Sequence, residues 1–89
     1  MNYKLVISPE AFRDIELAEC FYKTKDLDKS FLKDLNAQFN FLENAPLSRQ
    51  IRYRNIRIHL LEIYKYSVHY IVDNDVVMVL RVLNQAQEF

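Results

Sequence analysis

Tyr3, Leu5 and Ile7 alternate with Lys4, Val6 and Ser8, the period-two pattern of a strand with one face more buried than the other. Ser8 then stands where a helix N-cap would, and Pro9 suits the first helical position. Phe12, Ile15, Ala18 and Tyr22 recur at helical spacing, which predicts a first helix running to about Thr24. A second apolar stripe, Phe31, Leu35, Phe39 and Leu42, follows Asp26 and Asp28 and stops at Asn44-Ala45-Pro46. Either aspartate suits the cap of that second helix, and the proline ends it. Two helices of roughly 16 residues, each about 24 Å long, are thus expected to form an antiparallel hairpin joined near Leu27.

Beyond Pro46 the period changes to two. Ile56, Ile58 and Leu60 alternate with Arg57 and His59, and Tyr66, Val68, Tyr70 and Val72 alternate with Ser67, His69 and Ile71, predicting two strands. Asp73-Asn74-Asp75 marks a turn. Val76 to Leu83 is nearly continuous hydrophobic with Arg81 its one charge, as expected of a strand buried on both faces. Ile51 and Tyr53 are apolar at odd positions but Ile56, Ile58 and Leu60 at even ones, so a turn or bulge is expected near Arg54-Asn55. The expected order is β-α-α-β-β-β, an α+β domain whose three-stranded, mostly antiparallel sheet follows the helical hairpin. Its core is expected to unite Phe12, Ile15, Phe31, Leu35, Phe39, Ile58, Tyr70 and Leu80.

Composition narrows the chemistry. The 89 residues are 51% hydrophobic, which suits one domain over 1–89 with a small core whose stability a partner can increase. Glycine is absent, which excludes a phosphate-binding glycine loop, a dinucleotide fingerprint and a nucleophile elbow. Asn44, Asn55 and Asn74 are the natural substitutes where a turn needs positive φ. No HExxH or cysteine-rich zinc spacing appears, so no metal or other cofactor is expected. Cys20, the only cysteine, is expected to pack inside on its helix. The longest apolar run is too short to span a bilayer and the N-terminal one too short for a signal peptide, so a cytoplasmic protein without membrane contact is expected.

Twelve basic and twelve acidic residues balance overall, yet Met1 to Ser48 carries −2 and Arg49 to Phe89 carries +2. Arg49, Arg52, Arg54, Arg57 and Lys65, against Glu62 alone, make one segment locally +4, interleaved with Tyr53, His59, Tyr64 and Tyr66. Such a mixture can hold phosphates and stack bases, or it can be the solvent face of an amphipathic strand. His59 and His69 are the two histidines able to exchange protons near neutral pH. His59 is expected on the polar face beside Arg57, and His69 as a hydrogen-bonded structural residue in a central strand. Arg81 must pair with a carboxylate or open onto a site, because an unpaired charge is costly to bury.

The opening YKLVISPEAFRDI, the helical hairpin, and the segments RYRNIRI, YKYSVHYIVD and VVMVLRVLNQ resemble the ParE/RelE toxin superfamily over nearly the whole chain. The resemblance implies a helical hairpin on a curved sheet and a toxin of a bacterial type II toxin-antitoxin system, of the plasmid-stabilisation type, held in check by a cognate antitoxin. RelE-like members cut messenger RNA in the ribosome without metal, whereas ParE-like members poison DNA gyrase. Arg57 aligns with an arginine common in the superfamily, and Tyr66 and Tyr70 with its aromatic positions. Many relatives place a histidine or tyrosine after the last strand and a basic residue soon after. Here those positions hold Asn84 and Gln87, neither of which exchanges protons near neutrality.

Weak catalytic candidates are therefore His59, Tyr66 and Arg81, and Arg52, Arg54 and Arg57 are the candidate contacts to a target or phosphate. The favoured expectation is a ParE-like gyrase poison acting by binding. The alternatives are a RelE-like ribosome-dependent mRNA endonuclease and a decayed toxin that binds only its antitoxin.

Overall fold

A computed structural model describes residues 3–85. Strand β1 (Lys4–Ile7) leads into helix α1 (Pro9–Lys23), which a tight turn joins to α2 (Asp28–Asn44). A single 3-10 turn, Pro46–Ser48, precedes β2 (Ile51–Tyr53), β3 (Ile56–Leu60), β4 (Tyr66–Asp73) and β5 (Val76–Asn84). The five strands form one sheet in the order β1-β5-β4-β3-β2, antiparallel except that β1 runs parallel to β5. The α+β class is as expected, with one strand more after the helices. The change of phase at Arg54-Asn55 separates a three-residue edge strand, β2, from β3, with an irregular register between Ile51 and Tyr53.

Local chemistry explains the helix boundaries. Ser8 caps α1, its Oγ accepting from the Ala11 amide at 3.0 Å while donating to the Leu80 carbonyl at 2.9 Å, so one hydroxyl starts the helix and fastens it to β5. Neither Asp26 nor Asp28 caps α2. Leu27 is its N-cap without a side-chain bond, Asp28 is the first helical residue, and Asp26 takes positive φ in the turn. Of the asparagines proposed for positive φ only Asn74 adopts it. Asp26 and Arg54 occupy the left-handed region instead of Asn44 and Asn55, which shows turn geometry overriding residue preference.

One face of α1 reaches the core through alanines. Ala11 and Ala18 are buried, whereas Phe12 is 55% exposed and Cys20 is exposed, correcting the expectation that both pack inside. Small side chains let the helix approach β5 closely, and Ile15 and Tyr22 pack at the margin. From α2, Phe31, Leu35, Phe39 and Leu42 meet Val68, Tyr70, Val77, Val79 and Val82 of the sheet. Leu80 is only half-buried, because β5 alternates: Val77, Val79 and Val82 are inside and Val76 and Met78 partly out. The strand buried on both faces is β4, from Tyr66 to Tyr70, since it lies at the centre of the sheet. No helix among the described residues is long and apolar enough to cross a membrane.

Candidate target-binding surface

The arginine-rich segment occupies the β2–β3 end of the sheet, and its faces are the reverse of what alternation implies. His59 pairs with Val68 and Arg57 with Tyr70, and cross-strand partners share a face. Val68 and Tyr70 belong to the core beneath the helices, so Arg57 and His59 point to the helix side. Ile58 and Leu60, paired with His69 and Ser67, point to the opposite, helix-free side, where Leu60 is 52% exposed. His59 is thus a buried residue, 3% exposed, and not the surface acid or base expected of it.

Its contacts define its protonation. The ring stacks on Phe41 with centroids 5.1 Å apart, Arg49 Nε donates to Nδ1 at 2.9 Å, and Nε2 lies 2.6 Å from Gln38 Oε1. Only the neutral tautomer with its proton on Nε2 satisfies both neighbours, because the Arg49 N–H requires an acceptor. Burial, reinforced by the positive charge of Arg49, pushes the imidazole pKa down to about 4, so it is uncharged at neutral pH.

A buried polar chain continues from there. Gln38 Nε2 donates to Asp34 Oδ1 at 3.2 Å, and the Asp34 carboxylate also accepts the amides of Glu62, Ile63 and Tyr64 at 3.4, 2.9 and 3.2 Å. Burial disfavours that carboxylate's charge, but the amide and Gln38 bonds outweigh it and hold its pKa below the ordinary value. Asp34 and Gln38 carry no sequence motif. The one available signal is their i, i+4 spacing beside the apolar stripe of α2, which puts two polar groups on a buried face.

Arg49 also lies over the Phe41 ring, 5.4 Å from its centroid, and Arg57 Nη1 donates to the Arg49 carbonyl. Arg49 and Arg57 have no carboxylate partner among the described residues. Arg49 and Arg52, with Ile58 and Leu60, line a cleft of about 350 Å³. Arg54 stands exposed at the tip of the β2–β3 turn with φ 51°. On the helix-free face Tyr53 Oη lies 3.3 Å from His69 Nδ1 and Ser67 Oγ 3.0 Å from Nε2, and His69 is buried.

The remaining candidates lie elsewhere. Tyr66 is buried in an aromatic cluster with Tyr22, Phe31 and Tyr64, its ring 5.3 Å from that of Phe31. Arg81 makes a two-pronged ion pair with Asp14, Nε to Oδ2 at 2.7 Å and Nη2 to Oδ1 at 3.1 Å, and the hydrogen bond and charge of Asp14 raise its pKa further. Tyr66, Arg81 and Asn84 line one cleft of about 380 Å³ between α1 and the end of β5, remote from the arginines of β2 and β3. Gln87 lies outside the described residues. Among them, no three His, Cys, Asp or Glu side chains gather as a metal site would require.

Residues 5–89 match the family described as ParE toxin of type II toxin-antitoxin system, parDE, and the chain belongs to that family. Among solved structures, it is similar to a chain of the chromosomal ParDE TA system from P. aeruginosa, with TM-score 0.77 and 19% identity, covering 92% of this chain and 95% of that one. It is also similar to a chain of the toxin-antitoxin complex RelBE2 from Mycobacterium tuberculosis, with TM-score 0.61 and 17% identity over 94% and 99% of the two. No curated protein sequence matches it.

Proposed function

We propose that this toxin acts in the cytoplasm by binding DNA gyrase through its β2–β3 end, with Arg52, Arg54 and Arg57 as contacts, and that a cognate antitoxin neutralises it. The observation that carries the reading is the state of the proton-transfer candidates. His59 is buried and neutral with both ring nitrogens engaged, Tyr66 sits in the aromatic core, and the Arg81 guanidinium is held by Asp14. Metal-free RNA cleavage needs an acid and a base with access to substrate, whereas exposed cations suffice for binding. The solved relatives are a ParDE system and a RelBE2 complex, which supports an antitoxin partner. The exposed Phe12, Leu17 and Phe21 of α1 supply apolar surface for an amphipathic segment of it.

The rival reading, ribosome-dependent mRNA cleavage, draws on the cleft that brings Tyr66, Arg81 and Asn84 together. Purified protein assayed for gyrase supercoiling and for cleavage of ribosome-bound message separates the two. Gyrase inhibition without cleavage, relieved in Arg52→Glu/Arg54→Glu, is expected. Rapid cleavage that Tyr66→Phe or Arg81→Ala abolishes would overturn the binding mechanism.

A further inference from the structure

We propose that Tyr53 is the positioning residue of the β2–β3 tip: its hydroxyl, bound to His69, fixes the orientation in which Arg52 and Arg54, on either side of it, meet a macromolecular target. The proposal rests on the reading that this tip contacts the target, and it names the group that sets its pose.

Backbone pairing alone holds the tip weakly. Strand β2 has three residues, all exposed, and lies at the edge of the sheet with β3 as its neighbour. Its register is irregular between Ile51 and Tyr53, and the turn that follows puts the non-glycine Arg54 at φ 51°, in the sparsely allowed left-handed region. So short a hairpin is marginal in water without side-chain contacts. On the helix side, the bond from Arg57 goes to the chain before β2, at the Arg49 carbonyl.

The helix-free face supplies the missing contact. Tyr53 pairs with Ile56 and His69 with Ile58, so both side chains stand on the face of those isoleucines. Strand β3 lies between them, and two strand spacings amount to roughly 9 to 10 Å, yet Tyr53 Oη comes within 3.3 Å of His69 Nδ1. The two side chains therefore meet over β3, whose Ile58 is buried although no helix covers that face.

The far end of the contact is rigid. His69 is 3% exposed and Ser67 fully buried. Ser67 Oγ lies 3.0 Å from His69 Nε2 and donates to the Leu83 carbonyl of β5 at 3.4 Å. With its one proton given to Leu83, Ser67 Oγ accepts from Nε2, which leaves Nδ1 of the neutral ring to accept the Tyr53 hydroxyl. The chain of bonds thus runs from the edge strand through β4 to β5. Leaving so buried an acceptor unsatisfied is costly, which favours the docked tyrosine even though Tyr53 itself is 45% exposed.

The test uses the intact ¹⁵N-labelled chain and Tyr53→Phe, which keeps the ring and removes the hydroxyl. Amide hydrogen exchange over Ile51 to Ile56 is expected to quicken about five-fold, the worth of one hydrogen bond, with exchange in α1 and α2 unchanged. The concentration that half-inhibits gyrase supercoiling should rise by a similar factor. His69→Phe should match both effects, and His69→Gln, which restores an acceptor, should recover most of them. Tyr53→Phe/His69→Phe should be no worse than either alone, since the two act through one bond.

Unchanged exchange at the tip in Tyr53→Phe would overturn the proposal, as would exchange that quickens equally in the helices, the mark of a general loss of stability. Faster tip exchange with undiminished inhibition would refute the role toward the target. Tyr53→Phe decides alone if the His69 variants fail to fold. Should the wild type leave gyrase untouched, the gyrase reading fails, and exchange by itself upholds or overturns the positioning of the tip.

Discussion

The two helices are attached to the same sheet by opposite means. Helix α1 meets β5 through Ala11 and Ala18, with one ion pair, Asp14 to Arg81, at the rim. Helix α2 adds to its apolar stripe a buried polar line of Asp34, Gln38 and His59 that ends on Arg49. The buried part of the α1 contact is apolar, and its directional bonds, from Ser8 and Asp14 to β5, lie at its margin. The α2 contact is directional, and each member leaves its neighbour unsatisfied if removed. A polar attachment is the costlier one to break and the better one for holding a surface cation in place.

Asp34→Ala should give the largest effect, about 3 to 5 kcal/mol lost in urea unfolding, because three amides and Gln38 lose their acceptor in a buried site. Asp34→Asn, which keeps one oxygen, should lose clearly less. Equal and small losses would reduce the polar line to decoration.

Acid should act on α2 next. The unfolded chain protonates His59 near 6.5 but the folded chain only at about 4, so stability is lost as pH falls through that window, by up to about 3 kcal/mol. Denaturant midpoints measured from pH 7 to 4 should show this slope in the wild type and a shallower one in His59→Phe. Below that range both proteins should weaken further as Asp34, whose pKa is depressed, finally takes up a proton.

On the α1 side, Ala18→Leu should destabilise by about 2 kcal/mol through overpacking against β5, read by thermal melting. Arg81→Ala should change least, under about 1 kcal/mol, since its side chain is 49% exposed. Asp14→Ala should cost more than Arg81→Ala, because Asp14 also accepts the Val82 amide at 3.0 Å. A double-mutant cycle on the pair should give a small coupling.

The same contrast explains what the sequence revealed. Periodicity located both helices and the strands β1, β3, β4 and β5, and Ser8-Pro9 marked the start of α1, because each rests on local chemistry. It misplaced Phe12, since a stripe one residue over, Ala11 and Ala18, is buried, and small residues do not stand out as apolar anchors. It misjudged His59 because alternation assigns residues to two faces without saying which face lies under a helix. Near the end of α2 the inner face carries Arg57 and His59, where Gln38 of the helix bonds His59 and the Arg49 carbonyl takes Arg57. Arg52, Arg54 and Arg57 were legible as a basic cluster from composition alone. The mounting of Arg49 was not, as its supports come from positions 34, 38 and 41, far from it in sequence.

The parallel pairing of β1 with β5 sets an order in time. Lys4 to Ile7 come before the other four strands in sequence, yet among the described residues they pair only with Val76 to Val79, and Ser8 fastens α1 to Leu80. Until β5 has been made, β1 lacks its partner strand, and this side of the sheet cannot close. So long-range a contact is slow to form, since the intervening loop must first be ordered. Closure of the sheet on its β1 side thus waits for β5, whereas the pairings of β2 with β3 and β3 with β4 are local in the chain.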